Sequence, residues 1–173
     1  MVTPAEIEDT DVVISDTVRK ITAKAIADTG LTQLPKGTVL LSSRAPIGKV
    51  AITGVEMYCN QGFKNLICSE RIYNKFLFWF LKGRTEYLNS LGRGATFKEI
   101  SKRIVEDIYV PLPPLEIQRK IAKTLDTVSE ILAMRKQQLA ELDNLIKSIF
   151  YDMFGDPVTI EKGWETLVNH TKN

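Results

Sequence analysis

The chain has 173 residues, of which 23 are basic and 21 acidic, for a net charge of +2, and 44% are hydrophobic. These values are ordinary for a soluble protein with one globular domain and an additional segment. The longest apolar run, residues 76–81, is far too short to span a bilayer, and no cleavable signal precedes the first predicted strand. The sequence therefore predicts a cytoplasmic protein that does not contact a membrane.

The first part of the chain is predicted to form short strands, because runs of β-forming residues alternate with turn residues. These strands cover residues 10–15, 38–43, 49–53, 56–60 and 64–69. Between the first two, residues 21–27 predict one or two helical turns that Gly30 closes. The globular part therefore begins as a sheet of antiparallel strands.

The apolar period then changes from strand to helix spacing. Eight apolar residues between Tyr73 and Leu91 recur at steps of three and four, which predicts one helix ended by Gly92. Its aromatic residues could stack on bases, but their shared face favours packing on the sheet. Thr96 and Glu99 form a capping-box pattern that predicts a second helix start. Residues 108–112 alternate as a last strand, so the fold class is α+β.

A single long helix is predicted over residues 114–154. The prolines before it suit a first helical turn, and the glycine and proline after Phe154 end it. At 1.5 Å per residue it is a rod of roughly 55–60 Å. Apolar residues form a heptad seam along it, interrupted only by arginine, which predicts a dimer interface. The seam positions are Ile121, Leu125, Val128, Leu132, Arg135, Leu139, Leu142, Ile146, Ile149 and Met153.

Three polar, glycine-bounded segments precede the rod, at residues 42–48, 60–64 and 93–98. Arginine and lysine can neutralise phosphate or read guanine, and asparagine and glutamine can pair with adenine. Each segment alone could be simple turn chemistry, and the basic stretch over residues 82–103 could be a solvated helix face. Together they predict a double-stranded DNA interface. Its candidate residues are Ser43, Arg44, Lys49, Asn60, Gln61, Lys64, Arg93, Thr96, Lys98 and Lys102.

The sequence contains no combination of residues that is typical of a catalytic site. His170 is the only histidine, and Cys59 and Cys68 lack metal-ligand spacing, so free buried thiols are expected. A phosphate-binding loop at Gly48-Lys49 is rejected, because Ser43 replaces its first glycine and Val50 follows the lysine. We therefore predict no enzyme activity, no cofactor and no metal.

The junction before the rod, Val110-Pro-Leu-Pro-Pro-Leu-Glu-Ile-Gln-Arg-Lys-Ile121, closely resembles the conserved region of DNA specificity subunits of type I restriction–modification systems. Residues 41–48, 60–63 and 94–101 resemble that family's target-recognition domain, in the same order. The resemblance implies a non-catalytic subunit that reads one half-site of a bipartite target. It also implies modification (methyltransferase) subunits that dock on the scaffold and restriction subunits that complete the complex.

Two departures from the family pattern shape the expected assembly. One recognition domain (1–113) and one helix (114–154) resemble a half-subunit, which we expect to form a homodimer with antiparallel helices. The family's tryptophan-containing first strand is missing before Met1, and a similar piece, Gly163-Trp-Glu-Thr-Leu167, stands in the tail of residues 155–173. That tail would complete its own domain or a partner's, or else be the disordered remnant of a cut gene.

A rival interpretation is a truncated interaction protein. Such a chain would dimerise with a specificity or modification subunit without reading DNA itself. The sequence leaves this alternative open, together with the base sequence of any target.

Overall fold

A mixed sheet lies at the centre of the first of two units in this computed structural model, which describes residues 1–8, 10–44, 46–94 and 98–155. The units are residues 1–126 and 127–173. A 3-10 turn, Pro4–Glu6, opens the chain. The strands are β1 (Val13–Ile14), β2 (Val39–Ser42), β3 (Val50–Thr53) and β4 (Phe63–Leu66). The helices are α1 (Ala23–Thr29), α2 (Asn74–Lys82), α3 (Thr85–Ser90), α4 (Lys102–Glu106) and α5 (Leu115–Phe154).

The sheet has the strand order β1-β3-β2-β4. Strand β2 is antiparallel to both β3 and β4, as the alternation of strands and turns predicted. Strand β1 instead pairs with β3 in parallel, so the expectation of a purely antiparallel sheet was wrong. Parallel pairing is possible here because α1 and β2 intervene in the chain between these two strands.

Both faces of the central strands β2 and β3 are buried, which explains why these strands are nearly continuous apolar runs in the sequence. Val39 and Leu41 point to one cluster, which α2 and α3 cover with Leu77, Phe78 and other apolar residues. Leu40 points to a second cluster on the opposite face. The N-terminal segment closes that second cluster with Val2 and Ile7. The α+β class predicted from the sequence is confirmed.

Several predicted elements differ in the structure. The helix expected over residues 73–91 is two helices, because the chain bends at Gly83 and Arg84. Thr85 stabilises the bend, since its hydroxyl donates to the Lys82 carbonyl at 2.9 Å. Residues 56–60 form only isolated bridges rather than a strand. Residues 108–112 form no regular strand; Ile108 and Val110 pack on the core without ladder pairing.

The helix predicted to start at Thr96 begins later. Residues 95–97 lie outside the described part of the chain, and Glu99 is a bridge residue rather than a helical one. Helix α4 starts after Ser101, whose hydroxyl accepts from the Ile104 amide at 3.3 Å and so provides the cap.

The first turns of α5 are joined to the domain by buried polar contacts. The Gln118 side chain is fully buried and accepts from the Tyr73 amide at 2.8 Å. It donates to the carbonyls of Arg71, at 3.0 Å, and Pro113, at 2.8 Å. Further along α5, the Asp126 carboxylate accepts from Trp79 Nε1 at 2.8 Å and from Lys75 Nζ at 2.6 Å. These contacts fix the start of the helix against α2.

Helix α5 has 40 residues, which corresponds to about 60 Å at 1.5 Å per residue. Gly155 caps it in the left-handed region at φ 81°, and its amide donates to the Tyr151 carbonyl. The nine apolar seam positions are 37–65% exposed, and Arg135 is also exposed and donates to Gln138 within its own helix. Residues 156–173, and with them the predicted tail strand, lie outside the described part of the chain. Among the described helices, none has the length and apolarity to cross a bilayer.

Replacing Gln118 tests the joint at the start of α5. Gln118→Leu keeps the side-chain volume but leaves one buried amide and two carbonyls without this partner. We expect the free energy of unfolding to fall by about 2–4 kcal/mol, since each unsatisfied buried group costs about 1–3 kcal/mol. Urea unfolding measures the loss, and Gln137→Leu, at an exposed position of the same helix, should change it little. If both variants were equally stable, the stabilising role of the Gln118 hydrogen bonds would be contradicted.

Candidate nucleic-acid interface

The end of strand β2 brings the three predicted segments together. Beyond Ser42 the chain continues to Ser43, whose amide donates to the Gly62 carbonyl at 2.8 Å. The Ser43 carbonyl accepts from the Ile100 amide at 2.9 Å. One residue therefore joins the segment over residues 42–48 to the segment over 60–64 and to Ile100, two residues after the third segment. The sequence predicted the segments but not this shared junction.

The first segment is shaped by Ser42. Its hydroxyl donates to the Pro46 carbonyl at 2.7 Å and accepts from the Lys49 amide at 2.8 Å. Gly48 completes the turn at φ 94°, where a side chain would be strained and its Cβ would lie 2.9 Å from Thr85 Cγ2. These contacts hold the turn against α3 and leave Arg44 exposed.

Arg93, at the start of the third segment, and Glu99, just after its end, are paired through their backbones. The Arg93 amide donates to the Glu99 carbonyl at 3.0 Å, and the Glu99 amide donates back to Arg93 at 2.9 Å. Glu99 also forms a β-bridge with Arg44. The Glu99 backbone therefore lies between those of Arg44 and Arg93, although the two arginines are 49 positions apart in the printed sequence.

Glu99 lies between two of the predicted cationic residues. Its Oε2 accepts from Arg44 Nε at 3.0 Å, and its Oε1 accepts from Lys64 Nζ at 3.3 Å. Burial raises the pKa of the Glu99 carboxyl, but the hydrogen bonds from Lys64 and Arg44 outweigh this effect and lower the pKa overall. Glu99 is therefore a charged acceptor at neutral pH. The sequence had assigned it to a helix cap.

A surface cleft of about 570 Å³ opens beside this cluster. The Asn60 carboxamide oxygen accepts from the Gly62 amide at 3.0 Å, which fixes the turn at the rim of the cleft. Arg19 also lines the cleft, and sequence reasoning missed it because it lies outside the three polar segments. The lining residues are Thr3, Pro4, Ala5, Arg19, Arg44, Pro46, Asn60, Gln61 and Gly62.

The candidate residues differ in their access to a ligand. Ser43 is fully buried and its hydroxyl donates to Gly62, so it supports the surface from behind rather than facing a ligand. Lys49 is half-buried, and its Nζ donates to the Ile7 carbonyl at 2.7 Å. Thr96 lies outside the described residues. The remaining candidates have exposed or partly exposed side chains: Arg44, Asn60, Gln61, Lys64, Arg93, Lys98 and Lys102.

Metal-binding clusters of histidine, cysteine or acidic residues do not occur within the described residues. Cys59 and Cys68 are free, and burial raises the pKa of both thiols, so they are protonated at neutral pH. The interface therefore offers hydrogen-bond donors, acceptors and charge.

The fold joins a sheet-based domain to a long helix, and the loops around Ser43 form one polar surface. The family model for the type I restriction modification DNA specificity domain matches residues 4–144, and the chain belongs to that family. It is 35% identical to the type I restriction enzyme MjaIX specificity subunit of Methanocaldococcus jannaschii over 158 residues. That match covers 90% of this chain and 37% of the relative, so this chain spans little more than a third of its length.

Solved structures show the same fold. A chain from a structure of a type I R-M system is 28% identical, with a TM-score of 0.60, over 68% of this chain and 29% of that chain. The HsdS subunit from Thermoanaerobacter tengcongensis aligns with a TM-score of 0.63 over 88% of this chain and 36% of the subunit. At 23% identity, the latter likeness concerns the fold alone.

Replacing Glu99 with glutamine tests the charge cluster through its pH dependence. Because the pKa of Glu99 is lowered in the folded state, its stabilisation is present above the ordinary carboxyl pKa. That stabilisation is lost as the pH falls through the lowered value. Glu99→Gln should therefore be less stable than the parent chain at neutral pH, and the difference should vanish in acid. Urea unfolding of both chains at neutral and at acidic pH checks this difference. Glu130→Gln, at an exposed position of α5, is the control. A pH-independent difference would contradict the ion-pair assignment.

Proposed function

We propose that this chain is a sequence-specific DNA-recognition component of a type I restriction–modification complex. The observation that carries the proposal is that the second polar segment and Ile100, two residues after the third, are both bonded to Ser43 in a chain of the DNA specificity domain family. Exposed arginine, lysine and amide side chains at this junction suit phosphate contact and base reading. The chain itself would recognise DNA and catalyse no reaction. Since prokaryotic DNA lies in the cytoplasm, the proposal includes that location.

The long helix is proposed to pair with a second copy of the chain. Its apolar seam is exposed over more than four heptads, and an apolar surface of this extent is typical of an interface. In an antiparallel pair, the two recognition domains would read inverted half-sites separated by unread base pairs. Arg135 already bonds to Gln138, so it can direct its charge away from such a seam.

Modification and restriction subunits complete the proposed assembly. The name of the MjaIX relative describes a restriction enzyme specificity subunit, and we extend that role to this chain as part of the proposal. If the chain bound a modification subunit but no DNA, the proposed role would be replaced by the rival interpretation. In that interpretation the chain is an interaction protein that does not read DNA. Pull-down with a modification subunit, followed by DNA binding of the complex, separates the two.

DNA binding should be specific for split targets and should weaken steeply with salt. We expect Lys98→Gln and Lys102→Gln each to reduce the slope of log K against log salt by about 0.9, because each neutral residue gives up one phosphate contact. Titration of a selected duplex at several salt concentrations measures this slope. Lys24→Gln on α1, outside the three segments, is the matched control. Equal affinity for every duplex would contradict sequence-specific recognition.

The dimer is tested by placing a charge in the seam. Leu142→Lys should weaken dimerisation by about 100-fold or more, because both copies lose a leucine whose burial contributes about 1.5–3 kcal/mol. Asn144→Lys adds the same charge on the polar face of the helix and should leave the dimer intact. Sedimentation analysis of both variants measures the change. A monomeric parent chain at micromolar concentration would exclude the dimer.

A further inference from the structure

The Arg44 guanidinium is held on one side only. Its Nε donates to Glu99 Oε2 at 3.0 Å, and within the described residues its two Nη atoms have no hydrogen-bond partner. The Arg44 side chain is 54% exposed, so its Nη edge can be reached from solvent. A guanidinium fixed at Nε presents two parallel N–H donors at its end. This is the donor pattern that matches O6 and N7 of guanine in the major groove.

Glu99 is itself held in place, which makes it a suitable positioning residue for Arg44. Its backbone is paired with Arg93 on one side and bridges to Arg44 on the other. Its second oxygen accepts from Lys64 at 3.3 Å. The carboxylate therefore has little freedom to follow a moving arginine, and the Arg44 side chain loses less rotamer freedom when it meets a ligand.

The carboxylate also favours a base over a phosphate as the ligand of Arg44. A phosphate on the Nη edge would bring a negative charge close to Glu99, and the two would repel each other. The acceptors of guanine are neutral, so they avoid this repulsion. Arg44 also lines the same cleft as Asn60 and Gln61, whose amide groups are chemically suited to base edges.

We propose that Arg44 reads a guanine in the half-site and that Glu99 positions it for this contact. This inference rests on the proposed DNA-recognition function and assigns it a base and two residues. Lys98 and Lys102, which are exposed on the third segment and on α4, remain phosphate contacts.

Selection from a duplex library with a randomised segment tests the assignment, using the full chain. The parent chain should select guanine at one position of each half-site, preferred about 5- to 150-fold over other bases. Arg44→Gln should lose that preference and shift toward adenine, while the other selected positions stay unchanged. Arg71→Gln, the same change at an exposed arginine outside the cleft, should select the parent sequence.

Glu99→Gln separates positioning from simple structural support. It should reduce the guanine preference at the same position as Arg44→Gln and should increase affinity for unselected duplex, because one negative charge is removed. A merely structural role would instead lower affinity for all duplexes. Thermal unfolding of each variant establishes that it is folded under the binding conditions.

The alternative results are distinguishable. If Arg44→Gln weakened binding equally on all sequences and reduced the salt slope, Arg44 would be a phosphate contact, and this inference would be overturned while DNA recognition stood. If Glu99→Gln left the guanine preference unchanged, the positioning role would be overturned. If the parent chain selected no sequence at all, the proposed function would fail together with the inference.

Discussion

The candidate interface depends on the backbone of one residue, Ser43, just after the central strand β2. Ser43 is fully buried, and a buried amide or carbonyl without a partner costs roughly as much as a lost hydrogen bond. Its amide and carbonyl therefore require partners, and those partners are Gly62 and Ile100. This requirement holds the segment over residues 60–64, and the chain just after the third segment, against the first segment. The loop side chains can then vary in chemistry while their spacing stays set by β2.

A second buried polar group, the Gln118 carboxamide, links the domain to its long helix. Three hydrogen bonds from one side chain orient the helix start, since an apolar contact alone would allow it to rotate. Asp126 adds a further fixed point through Trp79. The turns of α5 up to Asp126 accordingly belong to the same compact unit as the sheet.

The charged side chains of the candidate interface are arranged around one carboxylate, that of Glu99. A net charge of +2 says little about a partner, because the acids and bases are not spread evenly. Glu99 places one carboxylate between Arg44 and Lys64, so the surface is a set of oriented donors rather than a uniform positive patch. Such an arrangement favours directional hydrogen bonds over phosphate attraction alone.

Much of this protein could be predicted from the sequence because the relevant signals are local. The period of apolar residues predicted the long helix, and runs of β-forming residues between turn residues predicted the strands β2 and β3. The chemistry of the three segments was also local. The parallel pairing of β1 and the roles of Glu99, Arg19 and Gln118 were not. Each depends on contacts between residues far apart in the chain, which no local pattern records, and only the tertiary structure decided them.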